Sequence, residues 1–268
     1  MKTIYKYVFI NSTLLFVIAS ILEMTLHEFG HFFASFLVHA QNISIHHNYT
    51  SNTDTGLPLL KTLFIKGAGP FISLVIGVLF HLICSMQTKR NTLFLFNVYM
   101  ALFGYIGFFG YLLIAPMFQG GDTGYICYAL GFPIWVTVAL SLVGIITLYF
   151  LTNRLIKYFV EMGSKEIIND AGNRRKFIHS LILYPLFIGL ILTTLLNLPI
   201  PVFISLIAPI CSPFTFMFGF DNALHKKYSI KTTNHEFEQF NKLNAGLIIL
   251  FAIIIVINRL LVYGIYVN

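Results

Sequence analysis

Long apolar runs, separated by shorter polar segments, make up most of the chain. A helix needs about 20 mostly apolar residues to cross a bilayer. The stretches that reach this length are approximately 7–38, 63–86, 93–117, 127–151, 178–198, 201–219 and 244–264. The first is longer than one simple crossing requires, and six or eight spans also fit the pattern. We therefore expect an all-α fold, a polytopic transmembrane helical bundle of about seven spans.

The polar segments are typical of loops within one domain. The longest cover about 40–61, 152–176 and 221–243, and no repeat or low-complexity linker divides the chain. We therefore expect a single integral membrane domain over 1–268. The alternation Asn42-Ile43-Ser44-Ile45 predicts a short β element in the 40–61 loop. The apolar pattern continues through Ala19-Ser20, so the first helix is expected to be retained rather than cleaved as a signal peptide.

Composition favours a membrane protein. The chain is 57% hydrophobic and only 10% charged, against roughly 25% charged residues in soluble domains. A disordered chain has the opposite composition, and three cysteines inside apolar stretches do not form a disulfide scaffold. We expect a multi-pass protein of a bacterial cell membrane.

The basic residues are segregated along the chain. With an inside N-terminus and seven crossings, all 17 Lys and Arg residues except Lys61, Lys66 and Arg259 fall on the inner side, where short loops accumulate positive charge. This distribution accounts for the net charge of +7 without a nucleic-acid partner. The partners expected are the lipid bilayer and a membrane protein or peptide substrate. The sequence does not specify the oligomeric state.

The segment His27-Glu28-Phe29-Gly30-His31 carries the most specific chemistry. Histidines at i and i+4 lie on one helical face, so both rings can reach one ion. Imidazole suits zinc, and the adjacent Glu28 can accept a proton from zinc-activated water. Gly30 leaves space beside the metal. The alternative is a pair of interfacial histidines with a glutamate at a helix end.

On this motif the sequence resembles the site-2 protease family of intramembrane zinc metalloproteases. In that family an H-E-x-x-H helix supplies two ligands and the general base, and an aspartate on a later span supplies the third ligand. The resemblance covers mainly residues 20–150, a metalloprotease-like core, and leaves 151–268 as additional spans without a role. It implies an all-helical membrane enzyme with one Zn²⁺ per chain.

The residue that best matches the third ligand is Asp122, within Gln119-Gly120-Gly121-Asp122-Thr123. Gly120 and Gly121 permit a tight bend beside it. The family pattern has glycine after the aspartate and an upstream asparagine, both absent here. A helix N-cap is the alternative role for Asp122, and Glu161 is the alternative third ligand.

Several other residues are expected to lie around this centre. Gly67, Gly69 and Pro70 are expected to open the second span near the substrate channel, with Pro70 in the first helical turn. A plain loop-to-helix turn explains them equally well. Gly120 and Gly121 are expected to border the same channel. Glu23, one turn before His27, could accept a hydrogen bond from its second ring nitrogen, or it is an interfacial charge. We expect His46 and His47 to be solvated loop residues, and the alternative is that they act as alternative or regulatory metal ligands.

The sequence thus predicts an intramembrane zinc metallopeptidase with His27, His31 and Asp122 as ligands and Glu28 as catalytic base. It would hydrolyse peptide bonds of membrane-embedded or membrane-adjacent substrates. The alternative is a non-proteolytic transporter or assembly factor with a structural or vestigial metal site. Charge places the motif toward the outer face, whereas familiar bacterial members of the family open toward the cytoplasm.

Overall fold

The computed structural model describes residues 3–53, 56–200, 212–228, 237 and 240–267, most of them in helices. The helices are α1 (Thr3–Leu37), α2 (Leu59–Met86), α3 (Thr92–Ile114), α4 (Asp122–Ala129), α5 (Ile134–Val160), α6 (Lys165–Asn169), α7 (Ala171–Leu196), α8 (Phe220–His225) and α9 (Ala245–Leu261). A 3₁₀ helix covers Ser212–Gly219. The strands are β1 (Ile43–Ile45), β2 (Thr50–Ser51) and β3 (Ile265–Val267). The helical fold class and the short β element are confirmed.

Five described helices, α1, α2, α3, α5 and α7, are long and apolar enough to cross a membrane. The expected seven spans are not confirmed. Within the expected sixth span, residues 201–211 lie outside the described part of the chain, and the rest forms the 3₁₀ helix. The expected seventh span forms α9, whose 17 residues are fewer than the roughly 20 of a standard crossing.

Local signals set the helix boundaries. Pro58 precedes α2 in an extended conformation. The Asn91 side chain accepts a hydrogen bond from the Phe94 amide at 3.0 Å and caps α3.

Because α2 begins at Leu59, the prediction that Gly67–Pro70 opens this helix is wrong. Pro70 lies inside α2, where it cannot donate to the carbonyl four residues earlier.

The centre of the bundle is formed by α1 and α3, the two most buried of the five long helices. Helix α1 contacts α2, α3 and α7. An aromatic cluster joins α1 and α3 to α5 and the 3₁₀ helix. It consists of Phe16, Tyr99, Phe103, Phe159 and Phe216. These side chains are buried and hold α1 at the centre of the bundle.

Helices α2 and α3 approach each other closely at two glycines. A Cβ atom on Gly104 would lie 2.4 Å from the Gly77 amide nitrogen, so neither position has room for a side chain. Helix α3 then continues through a π-helical segment, Ile106–Gly110. This contact fixes α2 against α3 near the turn of α1 that carries Glu23.

The three strands form one antiparallel sheet in the order β2-β1-β3. Ile45 of β1 pairs with Thr50 of β2 on one side and with Ile265 of β3 on the other. The sheet therefore joins the loop after α1 to the end of the described chain. Its contact with α1 is direct, since the Thr50 hydroxyl donates to the Glu28 carbonyl at 2.9 Å.

Candidate metal centre

The motif histidines lie on one face of α1, as their spacing requires. His27 and His31 are 4% and 6% exposed, and their Nε2 atoms are 3.1 Å apart. The ring of Tyr111 from α3 stacks on His27 with centroids 5.2 Å apart. Two imidazole nitrogens thus converge on one buried point.

Asp122 reaches the same point from the first turn of α4. Its Oδ2 atom lies 3.2 Å from Nε2 of His27 and 3.0 Å from Nε2 of His31, although 91 or more residues separate them in sequence. The N-cap of α4 is Gly121, so the alternative in which Asp122 is the N-cap does not apply. The structure therefore brings the three predicted ligands together.

The other ring nitrogen of each histidine has a partner that sets the tautomer. Nδ1 of His31 faces the Ile65 carbonyl at 2.7 Å, and a carbonyl can only accept. Nδ1 of His27 lies 2.9 Å from the Ser73 hydroxyl, which donates its one proton to Glu23 at 2.5 Å. Both Nδ1 atoms therefore carry hydrogen, and in the neutral form of each ring the Nε2 lone pair is directed at Asp122 Oδ2.

This arrangement fits a zinc ion. With both rings neutral, two Nε2 lone pairs and one carboxylate oxygen face one another. All three are acceptors, so a shared cation would stabilise the cluster. A tetrahedral zinc with bonds of about 2.0–2.1 Å places its ligand atoms roughly 3.3 Å apart. The separations of 3.0 to 3.2 Å differ from that value by a few tenths of an ångström. Two nitrogens and one carboxylate oxygen form a donor set that zinc binds with a fourth position open.

Lys66 of α2 completes the charge environment of Asp122. Its ammonium group lies 3.4 Å from Oδ1, the oxygen that does not face the histidines. An ammonium group this close stabilises the ionised carboxylate, which is the form that binds a metal ion.

Glu28 is the motif residue beside the cluster rather than in it. It is 8% exposed, and its carboxyl group lies within electrostatic range of His31 and Tyr111. The hydrogen bond from Thr50 to its carbonyl ties this turn of α1 to the sheet. A carboxylate in this place can exchange protons with a molecule bound at the open metal position.

Glu23 reaches the centre through Ser73, a residue that the sequence did not single out. The expected direct contact from Glu23 to His27 is replaced by the chain Glu23–Ser73–His27. Ser73 is fully buried. A Cβ on Gly107, in the π-helical segment, would lie 2.3 Å from Glu23 Oε1. Ser73 gave no sequence signal because 46 residues separate it from His27.

The glycines that were predicted to border the substrate channel have different surroundings. A Cβ on Gly69 would lie 2.3 Å from His31 Nε2, so α2 passes directly over the ligands there. Gly67 and Gly120 have open surroundings, and Gly121 caps α4. The space expected beside Gly30 is not free, because the Ala68 carbonyl would lie 2.8 Å from a Cβ there.

Other polar residues lie elsewhere. Glu161, the alternative third ligand, is paired with Arg90 at 2.7 Å. The interpretation of His46 and His47 as solvated was wrong, since both are buried. His46 stacks on Tyr49 with centroids 4.3 Å apart, and Nε2 of His47 lies 2.9 Å from the Asn197 carbonyl.

Comparison of the chain with protein-family models, with curated proteins and with solved structures finds no match. The geometry of this centre is therefore the basis on which we infer a function.

Proposed function

We propose that the chain is an integral membrane zinc metalloprotease of the site-2 type, which hydrolyses peptide bonds of membrane-embedded or membrane-adjacent substrates. The observation that supports it most is the convergence of His27, His31 and Asp122, whose ligand atoms all lie within 4.8 Å of one another. The tautomers of both histidines suit metal binding, and a carboxylate that is not a ligand stands beside the cluster.

The outer surface supports a location in the bilayer. Phe71 and Leu82 of α2 are 59% and 56% exposed, and Leu142 and Phe150 of α5 are 56% and 64% exposed. Large apolar side chains in such numbers on the outer faces of long helices suit contact with lipid chains and not with water. The metal centre lies in the interior of this bundle.

The roles of the side chains follow from their positions. A zinc ion held by the three ligands would lower the pKa of a bound water to about 7 and polarise a carbonyl oxygen. Glu28 accepts the proton of the attacking water and then delivers it to the leaving amine. Ser73 and the Ile65 carbonyl hold the two imidazoles in the ligating tautomer. A purely structural site needs no such base, which favours the protease over the non-proteolytic alternative.

The centre also restricts the substrate. Gly69 and Gly30 place the α2 backbone against the ligands and α1, so a folded helix has little space beside the metal. In a helix the peptide bond is hydrogen-bonded and shielded. The substrate segment therefore unwinds locally before its carbonyl reaches the centre.

The test combines metal content with peptide cleavage. The purified wild type should contain one zinc per chain and cleave apolar peptides of about 20 residues with a central glycine pair, with products identified by mass spectrometry. Asp122→Ala should lose the zinc, whereas Asp221→Ala, at an exposed aspartate, should keep it. Glu28→Gln should keep the zinc and stop cleavage.

The controls separate the outcomes. Glu166→Gln changes an exposed glutamate of α6 and should cleave as the wild type does. Full zinc content in Asp122→Ala would refute the ligand assignment, and undiminished cleavage by Glu28→Gln would refute the base. Zinc in the wild type without cleavage of any peptide would favour a non-proteolytic metal protein.

A further inference from the structure

A second feature lies at the other end of α2 from the metal ligands. There a cleft of about 500 Å³ opens between the last turns of α2 and α5 and the segment that follows α8. The residues that line the cleft include Ser85 of α2, Arg154 and Lys157 of α5, and Lys226 and Tyr228 of the segment after α8. Every residue that lines the cleft carries a polar group, although the helices that form it are mostly apolar.

The charge of this cleft is positive. Three cations line it, and none of its described lining residues is acidic. Lys157 lies over the Tyr158 ring at 4.6 Å, and Lys226 lies over the Tyr228 ring at 5.8 Å. The structure shows no carboxylate partner for any of the three cations among the described residues. An anion would therefore meet uncompensated charge here.

The acidic residues of the adjoining helices have partners outside the cleft. Glu161, at the end of α5, pairs with the buried Arg90 at 2.7 Å. Asp221 of α8 pairs with His225 at 3.0 Å. These carboxylates are already paired, so the positive charge of the cleft remains available to an external ligand.

An apolar stripe leads away from the cleft along α5. Arg154, Phe150 and Ile146 are spaced four residues apart and share one face of the helix. Phe150 is 64% exposed and Ile146 is 53% exposed. A ligand with an anionic end at Arg154 thus finds about two helical turns of apolar surface beside it.

We propose that this cleft binds the phosphate headgroup of an anionic phospholipid, whose acyl chains lie along the stripe on α5. Phosphate pairs with arginine and lysine through charge-assisted hydrogen bonds, and basic pockets between membrane helices bind such headgroups. The stripe favours a lipid over free phosphate, which has no apolar part. The inference rests on the membrane location in the proposed function and not on the zinc chemistry.

The test is a lipid titration of the full chain in detergent at 0.15 M salt, with bound phosphatidylglycerol counted by native mass spectrometry. Arg154→Gln, Lys157→Gln and Lys226→Gln are combined in one variant. Each cation near an anionic headgroup changes affinity about fivefold, so the triple variant should bind on the order of 100-fold more weakly. Phosphatidylcholine and inorganic phosphate are titrated in parallel.

The matched control removes equal charge from exposed positions outside the cleft, through Lys89→Gln, Lys165→Gln and Arg175→Gln. This control should change affinity by less than about threefold, since salt screens exposed charges. Equal weakening in both triple variants would overturn the site in favour of diffuse attraction. Inorganic phosphate that displaces the lipid at equal concentration would overturn the lipid assignment. His27→Ala should still bind phosphatidylglycerol, so loss of the zinc function and loss of this site are distinguishable.

Discussion

Replacement of Gly69 by alanine is the sharpest test of the metal centre, because α2 passes over the ligand atoms at this residue. The added Cβ would lie 2.3 Å from Nε2 of His31 and 2.7 Å from Nε2 of His27. Ordinary contact begins near 3.4 Å, so the first of these gaps has to open by about 1.1 Å. His31 cannot withdraw freely, because its Nδ1 is held at 2.7 Å by the Ile65 carbonyl.

Metal sites tolerate ligand shifts of only about 0.2 Å. A displacement five times larger would remove His31 from the proposed set of ligands. Loss of an outer-shell partner alone costs 10- to 100-fold in metal affinity, so we expect Gly69→Ala to weaken zinc binding by at least about 100-fold, or about 2.8 kcal/mol. Competition with a zinc chelator measures this affinity in the purified protein.

Gly67→Ala is the matched control, two residues earlier in the same helix. A Cβ there would meet only Ile126, at 3.9 Å. Alanine favours a helix over glycine by about 1 kcal/mol, so this variant should keep wild-type zinc affinity and unfold at the same or a slightly higher temperature. Zinc affinity in Gly69→Ala equal to that of Gly67→Ala would refute the placement of the ligands beneath α2.

Two further predictions concern buried polar contacts. Ser73→Ala removes the acceptor that holds the His27 tautomer and leaves Glu23 without its hydrogen-bond donor. It should lower zinc affinity by about 10- to 100-fold, as measured by chelator competition, and an affinity equal to wild type would exclude Ser73 as a positioning residue. Arg90→Ala removes the guanidinium that lies 2.7 Å from the buried Glu161 carboxylate and should lower the free energy of unfolding by about 3–5 kcal/mol. Replacing both residues by apolar ones should restore much of that loss in denaturant unfolding, and zinc stoichiometry should not change.

Short-range pattern determined several features. Apolar runs of helical length predicted the five long helices, and the alternation around Ile43 predicted a strand. The spacing of His27 and His31 was sufficient to place both rings on one side of α1, since the helical repeat is a local property of the backbone. These predictions needed no knowledge of how distant segments pack.

Long-range packing decided the rest. Asp122 was proposed as a ligand from a resemblance, and only the packing of α4 against α2 and the end of α3 brought its Oδ2 to the histidines. Ser73 has no sequence signal, because its role depends on the rotation of α2 about its own axis. The start of α2 at Leu59 and the pairing of β3 with β1 were likewise beyond local pattern. Periodicity specifies which side of a helix is apolar. Contacts between residues 46 or more positions apart depend instead on how separate helices pack, as at the close approach of α2 and α3 at Gly104.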